Sequence, residues 1–346
     1  MRTFISFKRT QAQPKQLCFF YTCFITYSNG VSRFMKNGRQ LTEGAMLGAI
    51  YLVLLLIAIY VPFIKIFAYF ALPVPIILYW LRHGIKSGFT FSAAILLLSI
   101  IASPAGILTT LTIAIGASMT GYALHRKQTT YEALLKGTAG YALGVTIFWV
   151  LTQAITGINI IETAQTSMQA TMQEVRTQMN DLGVATPEER WGQVTEMIDY
   201  IFVLVPTLIA IYSLLYAFVT QWLAQKVHNR QQKEKILYPP FRRFNLPVIV
   251  LFIYFIGSFA RWFNIDPNGG LYPFVVNITE FAGILLIIQG FAFMFYFAYE
   301  RKLAKVFPIL TVIFSILLGP ILLYLVRVLG IIDIGFRLRE RLSSKK

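Results

Sequence analysis

The chain has 346 residues, 56% of them hydrophobic and only 13% charged, with a formal net charge of +16. A soluble globular domain carries roughly 25% charged residues; here the charges sit between apolar runs of the ~20 residues that a spanning helix needs, which excludes a soluble fold. Short alternating segments are lacking, which excludes a transmembrane barrel, and Lys and Arg that gather in cytoplasmic loops against anionic lipid account for the basic balance without nucleic acid.

Residues 1–34 contain "LCFFYTCFI", about half a span, without the h-region and cleavage site of a signal peptide. They are expected to be a disordered leader or a start-site artefact ahead of Met35, with a short interfacial anchor as the alternative. Segment one covers about 41–62. Its Thr42 is placed to cap the helix and its Glu43 to sit in the first turn, where the dipole favours an acid. Gly44, Ala45, Gly48 and Ala49 form overlapping small-xxx-small pairs, a packing face for another helix. Segments two (about 65–81), three (88–103), four (105–124) and five (137–157) follow.

Residues 158–197 are polar, and Ile161, Ala164, Met168, Met172, Val175, Met179 and Leu182 recur at helical steps. The pattern predicts an extramembrane helical hairpin, with Gly183 ending one arm, Thr186 capping the next and Pro187 as its first residue. The Met-rich stripe reads as the seam between the arms, or as a lid or docking surface. Segment six covers about 198–223, segment seven 246–263 and segment eight 273–298. A last apolar run, 307–330, either crosses once, which would leave the basic tail outside, or breaks at Gly319-Pro320 and returns to the inside, the favoured reading because proline interrupts a helix. Basic clusters after every even segment through segment eight place the N-terminus in the cytoplasm, and the break at Gly319-Pro320 would keep the tail there. The fold class is therefore an all-α polytopic membrane protein of about eight or nine membrane helices. Its parts are a membrane domain at 35–223 with the external hairpin 158–197, a basic cytoplasmic loop 224–245, membrane segments 246–330 and a basic tail 331–346.

Cys18 and Cys23 give neither a disulfide framework nor zinc spacing, and His83, His125 and His228 lie in or beside basic clusters. No metal or cofactor is expected. No P-loop, HExxH or GxSxG occurs, so an enzyme is not expected and any ATP energy would come from another subunit. Inside the membrane, Thr109, Thr112 and Thr120 share a face of segment four, Thr146, Trp149 and Gln153 one of segment five, and Tyr212 and Tyr216 one of segment six. Such groups face each other or a cavity, as interhelical glue or as a solute pocket. Glu280 with Asn277 on segment eight, and Arg261 at the outer end of segment seven, form an intramembrane charge pair, functional or structural.

"LTEGAMLGAIYLVLLLIAIYVPF", followed by "LPVPIILYWLRHGIKSGF", resembles the YybS-like family of bacterial membrane proteins. More distantly, the same stretch resembles the substrate-binding S components of energy-coupling-factor transporters. That likeness implies a six-helix domain, a cell-membrane location, an unknown small solute and a transmembrane coupling subunit with ATPases, met at Ala45 and Ala49. The function implied is solute binding for transport, energised in trans. The alternative is a scaffold or regulator that recruits partners through the external hairpin and the basic loops.

Overall fold

The computed structural model describes residues 38–103, 106–183, 187–232, 234–263, 265–266, 269–304 and 306–343. The leader 1–34 and Thr186 lie outside the described residues. Every regular element among those described is a helix. Among the described residues, six helices are long and apolar enough to cross a membrane, and shorter apolar helices accompany them.

α1 (Gly38–Tyr60) begins before Thr42. Thr42 is therefore not a cap: its hydroxyl donates back to Gly38 O at 3.0 Å. Nor does Glu43 sit alone at a helix end, because it accepts from Arg82 and lies 3.1 Å from His83 Nε2. α2 (Lys65–Ala71) leads into α3 (Pro73–Ala102), whose two prolines withhold backbone donors at the junction.

α3 is two arms rather than one rod. At Gly84 the backbone takes φ 75°, ψ −164°, a region that essentially only glycine occupies. The Trp80 indole N–H donates to Ser92 Oγ at 2.9 Å, although twelve residues of straight helix would separate them by about 18 Å. The chain thus folds back at "RHGIK", and the two segments expected there are the two arms.

α4 (Gly106–His125) and α5 (Thr130–Thr156) complete the antiparallel run. α5 opens with a capping box, in which Thr129 Oγ1 accepts from Glu132 N–H and the Glu132 carboxylate from Thr129 N–H. The core of this first bundle holds Tyr51, Leu55, Leu72, Ile76, Ile77, Ile95 and Ile113, all almost fully buried.

The polar stretch is the expected hairpin: α6 (Ile160–Asp181) and α7 (Glu188–Val203), with Gly183 at φ 73° after the first arm and Pro187 as the boundary residue of the second. The seam differs from the Met stripe. Gln165 Nε2 donates to Asp199 Oδ1 at 3.0 Å, and Arg176 to Glu188. Met172 and Met179 lie on that side, while Met168, Val175 and Leu182 are exposed. The stripe spans more of the helix surface than one partner covers, and the polar pairs choose which edge is covered.

α8 (Val205–Gln231) runs well past residue 223 and packs on α5 and α3. The loop after it crosses the basic end of the molecule: Thr130 donates to Leu237 O, and Tyr131 meets Phe244 edge-on at 5.5 Å. A second bundle then forms from α9 (Ile249–Ala260), α10 (Leu271–Glu300), α11 (Val306–Leu317) and α12 (Pro320–Phe336). α11 has 12 residues, about 18 Å of helix, too short for a hydrocarbon core of about 30 Å. Gly319 (φ 73°, ψ −146°) repeats the turn seen at Gly84, and Pro320 opens α12. The predicted break is therefore present.

α12 runs parallel to α10. Gly283 meets Arg327, Leu286 O meets Gly330, and Gln289 donates to Asp333 at 2.6 Å, so both chains advance together. A Cβ on Gly290 would lie 2.1 Å from Val326 O, so the backbones nearly touch. α13 (Leu338–Ser343) ends on the face that carries the basic loop: Arg339 donates to Arg242 O and Phe244 O at 3.1 and 2.8 Å, and Tyr296 to Arg339 O.

Candidate functional site

Glu280 lies nine residues into α10, about 14 Å from its first residue. Arg261, in the 3-10 turn that ends α9, donates to its Oε1 at 3.0 Å. A second guanidinium, Arg327 of α12, stands 3.8 Å from Oε2. Tyr200 of α7 donates to Oε1 at 3.5 Å, and the Tyr254 ring of α9 lies 5.7 Å from Arg327 Cζ. Four helices thus converge on one carboxylate.

These three charged side chains sum to one net positive charge. Their exposures are 23% for Glu280, 33% for Arg261 and 20% for Arg327, so the cluster is half-buried and still reachable. Arg261 Nε and Arg327 Nε are buried with no hydrogen-bond partner among the described residues. Unspent donors and a surplus cation favour an added anion.

Asn277 lies one turn before Glu280 and serves a different purpose. Its Oδ1 accepts from Thr207 N–H at 2.9 Å and from Thr207 Oγ1 at 2.7 Å. Its Nδ2 donates to Val203 O at 2.7 Å and to Pro273 O at 2.8 Å. The amide fastens the α7–α8 junction, the root of the hairpin, to the second bundle. Arg327, Tyr200 and Tyr254 were not anticipated. The one available signal was Arg327 as the lone charge within the apolar run 307–330.

The polar faces, read as interhelical glue or as a pocket, bond mainly their own helices and, at one point, a neighbouring helix. Thr112 donates to Leu108 O and Gly144 O, Thr120 to Gly116 O, and Thr146, which is exposed, to Ala142 O. Hydroxyls three or four residues from a helical carbonyl satisfy themselves there. Thr109 is half-buried and Gln153 exposed. Trp149 keeps a buried indole N–H without a partner among the described residues. Tyr216 donates to Tyr69 O at 2.7 Å and packs among Tyr69, Phe70 and Tyr141, while the half-exposed Tyr212 stacks on it at 5.6 Å. Tyr51 donates to Thr110 Oγ1 beside them at 2.9 Å.

The small residues of α1 divide between two surfaces. Gly44 and Gly48 face α3 of the same chain, where a Cβ would lie 3.2 Å from Tyr79 and 3.5 Å from Ile95. Ala45 and Ala49 are exposed.

The chain matches the family described as "Predicted membrane protein (DUF2232)" over residues 49–334. It is also similar to the Bacillus subtilis (strain 168) protein named "Uncharacterized protein YybS", at 28% identity over 314 residues, covering 89% of this chain and 100% of that relative. No solved structure matches it.

Proposed function

The chain belongs to the DUF2232 family of predicted membrane proteins, and from that premise we propose that it binds a small anionic solute among its helices as a transport-type protein. The observation that carries this reading is the pair of arginines on one carboxylate, with both Nε donors buried and unspent. Ionisable groups inside a membrane segment mark solute or ion paths by default. The solute would dock at Glu280, Arg261 and Arg327, not on the hydroxyl faces of α4 and α5. Energy would come in trans, from a coupling subunit with ATPases that meets the exposed Ala45 and Ala49.

Mass spectrometry of the protein purified in nanodiscs tests this by asking for retained small anions and coupling subunits. Arg327→Gln is expected to lose the retained anion while keeping the fold, because Glu280 is still paired with Arg261. A wild-type protein that retains no anion and no subunit would overturn the reading.

A scaffold role is the second reading, supported by α6, which buries none of its residues, and by its exposed Met168, Val175 and Leu182. Deleting 160–196 is then expected to leave the membrane core folded and to abolish partner recruitment. Unchanged recruitment would count against it.

A further inference from the structure

We propose that a cleft at the basic end of the first bundle, between the fold-back of α3 and the end of α4, is a binding site for a phosphate-bearing ligand. The inference is independent of the Glu280 cluster, which lies on other helices.

The cleft has a volume of about 710 Å³. Lys86, Arg126 and Lys127 line it together with His83, His125 and Ser87, and none of its lining residues is acidic. Three full positive charges exceed what one carboxylate neutralises. A phosphate monoester carries about −1.5 to −2 at pH 7 and three acceptor oxygens, which suits this set.

Two carboxylates reach lining residues of the cleft without cancelling its charge. Glu43 is held by Arg82 and His83. Glu234 stands 4.0 Å from Lys127, with both side chains almost fully exposed, a pairing that solvent leaves weak.

The backbone contributes as well. The second arm of α3 starts at the Gly84 turn, so the first amides of that arm, around Ile85 to Ser87, open toward the cleft with the positive end of its dipole. On the other wall, α4 closes with Lys127 N–H on Leu124 O and Gln128 N–H on Ala123 O, the two bonds of a Schellman cap. The residue that such a cap favours is glycine, yet Lys127 takes φ 55° there. Lys302 and Arg337 take the same left-handed conformation at φ 55° and 48°, so the geometry at Lys127 positions a cation at the cleft rather than marking the site by itself.

A phosphate group could reach the cleft on a lipid headgroup or in free form, and the test separates the two. The full chain is placed in nanodiscs of phosphatidylcholine, and inorganic phosphate and pyrophosphate are titrated while intrinsic tryptophan fluorescence is read, Trp80 lying in the adjacent arm. Lipid carried from the cell membrane is assayed in parallel by native mass spectrometry. Lys127→Gly relieves the backbone and removes the charge, so weaker binding in that variant cannot come from unfolding; Lys86→Gln gives a second, exposed reporter.

If the ligand is free phosphate, wild type saturates and each variant binds about tenfold more weakly, the factor for about 1.4 kcal/mol. If it is a headgroup, phosphate has no effect and a phosphate-bearing anionic lipid is retained by wild type but lost from both variants. Absence of both signals in wild type, or variants that bind as wild type does, would overturn the proposal.

Discussion

Gly330→Ala places one methyl group where α12 presses on α10. The added Cβ would lie 2.0 Å from Leu286 O and 3.0 Å from Gly290 N. Both are backbone atoms, so no rotamer change relieves the overlap. Reaching ordinary contact at 3.4 Å requires the helices to part by about 1.4 Å. That movement stretches the Gln289–Asp333 bond from 2.6 Å to about 4 Å, beyond hydrogen-bonding range. Overpacking costs about 1–3 kcal/mol, and losing the Gln289–Asp333 bond adds about 1 kcal/mol, since Gln289 keeps Asn245 and Asp333 keeps Arg339 as partners. A loss of about 3 kcal/mol is expected. At about 2–4 °C per kcal/mol for a large domain, the melting midpoint in nanodiscs should fall by about 10 °C. Gly335→Ala on the same helix is the control, because its Cβ would meet only Leu251 Cδ2 at 3.9 Å. If Gly330→Ala melts with wild type, or Gly335→Ala falls equally, the tight parallel pair is refuted.

Asn277→Ala removes the amide bonds to Thr207 and Val203 that hold the α7–α8 junction and leaves the Thr207 hydroxyl on the main-chain oxygen of residue 277; faster hydrogen exchange at residues 203–207 is expected, and unchanged protection would refute the clasp. Gly84→Ala forces a side chain into φ 75° and sets its Cβ 2.7 Å from His125 Nε2, so about 1–3 kcal/mol of stability should be lost, with Trp80 fluorescence reporting the disturbed fold-back. Thr129→Ala breaks the capping box of α5 and should cost about 1 kcal/mol, while Thr129→Ser should restore most of it; equal melting of the two variants would refute the cap.

Helical class, the apolar segments, the polar hairpin of α6 and α7 and the break at Gly319 could all be read from residue pattern, because apolar runs, glycine and proline act locally. What the pattern could not supply is the choice of partner. Glu43 looked like a helix-end acid, since its pairing with Arg82 and His83 spans about forty positions of sequence. The threonines of α4 and α5 read as interhelical glue or pocket lining, and the pattern could not say that a hydroxyl bonds mainly its own helix, with Thr112 also reaching Gly144 O on α5. The Met stripe predicted helicity correctly but not which edge is covered, which Gln165 and Asp199 decide. Arg261 and Glu280 were paired from depth alone. Arg327 escaped because it lies in a run judged by mean hydropathy, which one arginine barely lowers.

The doubled-back α11–α12 unit changes how membrane topology must be counted. A hydropathy plot of residues 307–330 gives one more crossing, which would put the tail opposite the loop after α8. Because α11 turns at Gly319 and α12 descends alongside α10, that run makes no net crossing. A reporter fused after Lys346 should therefore report the same compartment as one inserted at residues 232–240, and an odd count of apolar segments would still yield an even number of passes.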